Sequence, residues 1–172
     1  MHSHARCLRT LLRFNADMLG KMAPDLTEDL LDAPMVTSGN TPRWVLAHLA
    51  VGLDFALLAI GKPTQLPRPW LLLYGPGSTG DMSEPRPSRE ELLAAIARGV
   101  EAVDAALAEL ETPTPAAAER LARPHAAKLL MGTPLTTIGD TVAHLVTTHF
   151  AMHIGQLSLV RRQAGLKPIL AP

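Results

Sequence analysis

The sequence contains little cysteine and few aromatic residues, and its charges balance. The single cysteine, Cys7, excludes an intrachain disulfide framework and any zinc site built from several thiolates. Lysine plus arginine and aspartate plus glutamate both number 16, so the formal net charge is zero and no cationic field is available to hold a phosphate backbone. We therefore expect no nucleic-acid partner, and the lack of cysteine pairs favours the reducing cytoplasm.

The sequence also lacks an apolar run long enough to cross a membrane. The best stretch, residues 45–60, is interrupted by His48 and Asp54 and is short of the roughly 20 residues that a spanning helix needs. The 172 residues are 47% hydrophobic and 19% charged, which suits a folded core better than a disordered tail. We predict one domain over residues 1–172, with no membrane partner.

Four segments have helical periodicity. The first covers residues 4–22, with leucines and methionines spaced for one apolar stripe. The second begins at Thr41 and Pro42, an N-cap followed by proline, and ends near Ile60 before Gly61. The third opens on the capping-box pattern of residues 88–91 and ends near Leu110. The fourth runs from about Thr137 to residue 163.

Two helix-breaking connections flank the third segment. Residues 62–87 contain six prolines, and residues 112–134 contain four, with a short helix predicted over residues 116–122. Neither strand alternation nor a repeat is visible, so we predict an all-α four-helix bundle with long connections. Trp70 and Tyr74 lie close together in the first connection, which suggests that this loop folds back onto the bundle, either as an anchor or as a lid over a pocket.

Histidines are the most informative residues of this sequence. His149 and His153 are four positions apart on the fourth helix, so their side chains lie about 40° and one turn apart, close enough to share a metal ion. His48 lies in an apolar stretch of the second helix, where a buried imidazole needs a hydrogen bond or a metal. Each of the three could instead be an ordinary core or surface histidine that binds no metal. Together the three offer neutral nitrogen ligands with coordination positions left open.

Neighbouring residues refine this hypothesis. Zinc proteases with the same histidine spacing carry a glutamate after the first histidine, where this chain has Phe150, so a metalloprotease mechanism is not expected. His144 lies five residues before His149 and is rotated by about 140° from it, so we expect it to be exposed or hydrogen-bonded rather than a ligand. Gln156 lies two turns after His149 on the same side, where it suits a hydrogen bond to a ligand.

Residues 41–49 (TPRWVLAHL) and residues 149–157 (HFAMHIGQL) resemble the DinB-like superfamily of metal-binding four-helix bundles. Residues 142–149 (VAHLVTTH) lead into the second motif in the same way, and the similarity covers nearly the whole chain. Phe150 and Ile154 depart from the common pattern, which has glutamate and arginine there. The resemblance implies an up-down-down-up bundle, frequent homodimerisation, and a divalent ion, often zinc or nickel, held by His48, His149 and His153. Around these ligands we expect Gln156, Trp44, Trp70 and Tyr74.

Some members that this chain resembles are S-transferases that use low-molecular-weight thiols such as bacillithiol or mycothiol. We therefore favour a metal-dependent thiol S-transferase acting on a small-molecule substrate. Two alternatives remain open at this stage: a metal-dependent hydrolase, and a non-catalytic bundle in which the histidines staple the helices and the surface binds a protein partner. Three imidazoles suit several divalent metals, so the sequence does not choose among them.

Overall fold

The computed structural model describes residues 4–35, 40–78 and 86–169. The α-helices of these segments, in chain order, are α1 (His4–Met22), α2 (Glu28–Leu31), α3 (Pro42–Ile60), α4 (Arg68–Leu73), α5 (Arg89–Glu109), α6 (Pro115–Ala122), α7 (Ile138–His144) and α8 (Phe150–Gln163). Two 3₁₀ turns cover Ala23–Asp25 and Lys128–Leu130, and a π-helical turn, Leu145–His149, joins α7 to α8. No strand occurs in these segments, so the predicted all-α fold is confirmed.

Four long helices form the bundle: α1, α3, α5 and the continuous fourth helix made of α7, the π turn and α8. The first helix packs on α5 and on the fourth helix, and the same two helices flank α3. Arg9 near the start of α1 pairs with Asp104 near the end of α5, so these helices are antiparallel. Arg161 near the end of α8 pairs with Asp25 just after α1, so the first and fourth helices are parallel.

The direction of α3 follows from its contacts with the same two neighbours. Lys62 just after α3 pairs with Glu109 at the end of α5, so α3 and α5 are parallel. His48 contacts His153, while Gly52 further along α3 approaches Leu145, so α3 and the fourth helix are antiparallel. Taken together, the four helices run up, down, down and up, as the resemblance implies.

The helix-terminal signals of the sequence are present in the structure. The Oγ1 atom of Thr41 accepts a hydrogen bond from the backbone N–H of Trp44, and Pro42 follows at the first helical position. Gly61 ends α3 in the left-handed conformation, at φ +93°, where a side chain would be strained. Capping boxes start α5, from Ser88 to Glu91, and α7, from Thr137 to Asp140. These contacts confirm the predicted starts of three bundle helices and the end of α3.

α3 is buried almost all round, which explains why its sequence is so apolar. The expectation that no apolar stretch is long enough to cross a membrane is wrong for α3, whose 19 residues are long and apolar enough to do so, but 78% of its most apolar part is buried inside the protein. A helix that is hydrophobic on every side suits the centre of a bundle as well as it suits a membrane. The burial therefore makes α3 the core helix of this bundle.

The connection after α3 folds back along that helix. Asp54, which is 1% exposed, accepts hydrogen bonds from the backbone N–H groups of Gln65 and Leu66. The chain then forms α4 and reaches Tyr74, which is 3% exposed. The prediction that this loop returns to the bundle is confirmed for its described part, residues 62–78, in which Tyr74 lies beside His48.

Candidate metal centre

Three imidazoles from α3 and the fourth helix meet inside the bundle. The Nε2 atom of His149 lies 3.1 Å from Nε2 of His48 and 3.3 Å from Nε2 of His153. One ligand atom from each residue lies within 4.8 Å of the others. His48 and His153 are buried, and His149 is partly exposed.

Two of the rings have their protonated nitrogen fixed by a hydrogen bond. Nδ1 of His48 donates to the backbone carbonyl of Tyr74 at 2.6 Å, and Nδ1 of His153 donates to Oε1 of Gln156 at 2.6 Å. Because an oxygen of either kind only accepts, each Nδ1 carries the proton and each Nε2 keeps its lone pair. These lone pairs are directed into the cluster, which is the arrangement that metal-binding histidines require.

The spacing of the nitrogens fits a divalent ion. In a tetrahedral zinc site with Zn–N bonds of about 2.0–2.1 Å, two ligand nitrogens are about 3.3–3.4 Å apart. Of the two distances to His149, the 3.3 Å to His153 equals this separation and the 3.1 Å to His48 is about 0.2 Å shorter. Within the described residues, the group that could hold a metal contains no carboxylate and no thiol. The three histidines therefore form a neutral ligand set that would leave one position of a tetrahedral ion without a protein ligand.

Burial keeps these histidines uncharged. It lowers the pKa of His149 to about 3, with the neighbouring His153 and His48 adding to the effect. Burial also lowers the pKa of His153 to about 4, against the opposing hydrogen bond to Gln156. The pKa of His48 is lowered by burial as well, and the carbonyl of Tyr74 opposes that shift. All three rings are thus neutral at pH 7, as metal ligation demands.

The other residues expected around the site lie at different distances from it. The ring of Trp44 stacks on His48, with centroids 4.5 Å apart and planes 13° from parallel. Gln156 and Tyr74 contact the ligands directly, but Tyr74 does so through its backbone carbonyl and not its phenol. Trp70 packs edge-on against the ring of Tyr74, at 5.8 Å, and so supports the carbonyl that holds His48.

His144 lies closer to the cluster than a regular helix allows. In a π turn the hydrogen bonds join residues five apart, which brings His144 over His149, with ring centroids 5.6 Å apart. The expected separation of these two side chains is therefore wrong. The expected hydrogen bond is confirmed, because Nδ1 of His144 lies 2.7 Å from Oγ1 of Thr148. His144 is not part of the three-histidine group.

The fold and this cluster define a four-helix bundle whose second and fourth helices present three histidines able to hold a divalent metal ion. The family model of the DinB superfamily matches residues 11–157, and the chain belongs to that superfamily. A comparison with curated proteins finds no match.

Proposed function

We propose that the protein is a metal-dependent S-transferase that joins a low-molecular-weight thiol, of the bacillithiol or mycothiol type, to a small electrophilic substrate. The observation that carries this proposal is the neutral ligand set of three convergent Nε2 atoms. Neutral ligands leave a divalent ion, for which zinc and nickel are our candidates, its full positive charge. That charge favours an anionic further ligand such as a thiolate.

A bound divalent ion would supply a Lewis acid that lowers the pKa of a coordinated thiol and so raises the fraction of the nucleophilic thiolate. The protein itself contributes the orientation of the metal ligands. His48 and His153 hold their lone pairs toward the centre because their other nitrogens are occupied. In the transfer, sulfur forms a bond to the electrophilic carbon, and the electrons of the broken bond leave with the leaving group of an alkyl substrate or stay on the ring oxygen of an epoxide, which then takes up a proton from solvent. The thiol proton passes to solvent.

Hydrolysis fits the site less well. A metal-activated water needs a general base during amide or ester cleavage, and carboxylates usually serve in this role. The described cluster contains none. Phe150, at the position where zinc proteases place their glutamate, is 1% exposed in the bundle core. A side chain at position 150 therefore projects into the core and away from solvent.

An assay of the metal-loaded protein tests the proposal. Bacillithiol, mycothiol and glutathione are each combined with alkylating and epoxide electrophiles, with the His48→Ala variant as the negative control. We expect acceleration with at least one thiol, and we expect it to disappear in the variant and after chelation. Ester or amide hydrolysis without any thiol reaction would support the hydrolase alternative. Inactivity in both assays would favour the metal-stapled, non-catalytic bundle.

The assembly and location of the protein are further parts of this proposal. We propose a single-domain cytoplasmic protein that forms a homodimer and binds neither nucleic acid nor membranes. Exposed apolar side chains on the neighbouring helices α1 and α8 support self-association: Leu11, Phe14, Met152 and Leu159. Light scattering during size-exclusion chromatography tests this, with a mass of twice 18.4 kDa expected. A monomer at all concentrations would contradict it.

A further inference from the structure

The three imidazoles of the cluster are not held in the same way. His48 and His153 each donate a hydrogen bond from Nδ1, to a backbone carbonyl and to an amide oxygen. Within the described part of the chain, Nδ1 of His149 has no such partner, because the hydrogen-bond contacts of this ring are those of its Nε2 atom with the other two histidines. His149 is also the least buried of the three. Its position must therefore be set by packing.

Gly52 of α3 provides the surface against which the His149 ring lies. A Cβ atom built on Gly52 would come within 3.2 Å of Cε1 and 3.4 Å of Nδ1 of His149. The first distance is shorter than ordinary van der Waals contact, so the ring occupies space that a methyl group at position 52 would need. With a side chain at position 52, the imidazole would have to move away by a few tenths of an ångström.

We propose that Gly52 is a positioning residue of the three-histidine site, which sets the depth of His149 and so completes the metal geometry. This inference rests on the proposed metal binding. The close approach is specific to the ligand ring, because the next nearest side-chain atom, Cδ2 of Leu145, would be at an ordinary 4.0 Å.

The composition of α3 supports a functional reason for this glycine. Glycine is among the least favourable residues in a helix interior, and Gly52 lies in the middle of a helix that is otherwise rich in leucine and alanine. Alanine would favour the helix, so local stability does not explain glycine here. Close approach of another group does. On another side of the ring, the π turn brings His144 edge-on against His149, so the imidazole lies between the backbone of α3 and a second ring.

The Gly52→Ala variant tests the proposal. The added methyl group would displace the His149 ring by a few tenths of an ångström, which is comparable with the tolerance of metal–ligand distances. We expect the affinity for Zn²⁺, measured by competition with a chromophoric chelator, to fall about 10- to 100-fold, as when an orienting partner of a ligand is removed. With Co²⁺ as the probe, we expect the visible absorption spectrum to change, because it reports the coordination geometry.

Two glycine variants serve as matched controls. A Cβ at Gly155, on the helix that carries His149 and His153, would have no atom within 4 Å, so Gly155→Ala improves the helix without crowding the site. A Cβ at Gly99 would come within 3.0 Å of Cδ1 of Leu53, so Gly99→Ala crowds the core without touching a ligand. We expect both controls to keep the Zn²⁺ affinity and the Co²⁺ spectrum of the original protein, whatever their melting temperatures.

The outcomes separate this inference from the proposal on which it rests. If the original protein binds neither ion, metal binding itself is wrong. If it binds metal and Gly52→Ala matches it within about twofold, with an unchanged Co²⁺ spectrum, the positioning role of Gly52 is wrong. A loss of affinity in Gly52→Ala that Gly99→Ala shares would also overturn it, since crowding anywhere in the core would then have the same effect. Circular dichroism of the metal-free variants checks that each is folded.

Discussion

At the scale of single residues, hydrogen bonds and burial hold the three histidines in the orientation and the protonation state that metal binding needs. Hydrogen bonds to the Tyr74 carbonyl and to Gln156 leave two Nε2 lone pairs free, and burial keeps the rings neutral. A neutral imidazole that keeps its proton on Nδ1 loses no proton from Nε2 when a cation binds there, which favours binding at neutral pH. The same burial makes the metal-free protein sensitive to acid.

The metal-free protein should lose stability below about pH 6.5. The unfolded chain binds protons at its histidines near that pH, whereas the native pKa values of His149 and His153 are lowered to about 3 and about 4. Between these limits the unfolded state binds more protons, so the free energy of unfolding falls as the pH falls. We expect a slope of up to ~1.4 kcal/mol per pH unit for each of the two histidines. Urea titrations of the chelated protein from pH 7 to pH 5 measure it.

The His149→Leu variant provides the control for this pH dependence. Leucine does not titrate, so the slope should decrease by the share that His149 contributes. A free energy of unfolding that stays constant between pH 7 and pH 5, or a slope unaffected by the variant, would contradict the assignment.

His144→Ala should retain the metal ion. The ring of His144 contacts His149, but its Nδ1 is bonded to Thr148 and the residue is not part of the three-histidine group. Loss of the ring contact should weaken Zn²⁺ binding by less than tenfold, because the three ligands remain. Competition with a chelator measures this, and loss of stoichiometric metal in this variant would mean that His144 is itself a ligand.

At the scale of single residues, the sequence predicted those site residues whose chemistry follows from residue type and spacing. The pair His149 and His153 and the isolated His48 could be selected because imidazoles in apolar helices need partners. The role of Tyr74 could not be predicted in the same way, since any residue offers a backbone carbonyl. A glycine inside a helix is a weak signal in the sequence, and only the approach of His149, at the end of the π turn, shows why Gly52 is there.

At the scale of elements, the bundle helices were predictable and two details were not. Capping residues and proline or glycine at the ends specify α3, α5 and α7 locally, so their starts agree with the structure. The π turn has the same residue types as a regular helix, and helical periodicity assumes 3.6 residues per turn throughout. The short helices α2 and α4 are too brief to give a periodic signal.

The connection after α3 depends on Asp54, whose substitution should be costly. Its carboxylate accepts the backbone N–H groups of Gln65 and Leu66, and Asp54→Ala leaves both without this partner. We expect a loss of ~1–3 kcal/mol in the free energy of unfolding, measured by urea denaturation. Asp54→Asn keeps one acceptor oxygen and should lose less. Equal free energies of unfolding for Asp54→Ala and the original protein would show that these hydrogen bonds of Asp54 do not stabilise the fold.

At the scale of the whole molecule, the candidate ligands connect two helices far apart in the sequence. His48 lies in the second bundle helix and the other two histidines in the fourth, so a shared ion would link α3 to α8 across the long connections. The unfolded chain does not hold these three residues together, so an ion bound by the folded state alone must stabilise it. This architecture couples metal binding to global stability.

Metal should therefore raise the melting temperature. At a free ion concentration of about 100 times the dissociation constant the gain is ~2.7 kcal/mol, which corresponds to roughly 5–10 °C for a chain of this size. Calorimetry with and without a chelator measures the shift at pH 7. Chelation that removes the ion and leaves the melting curve unchanged would contradict a site that bridges the two helices.

The most direct test of the account is the metal content of the purified protein and its histidine variants. Elemental analysis after loading and desalting should find one divalent ion per chain in the original protein. It should find essentially none after His48→Ala, His149→Ala or His153→Ala, because two remaining imidazoles hold an ion much more weakly than three. Stoichiometric metal retained after the loss of any one of these residues, or no metal in the original protein, would contradict the three-histidine site.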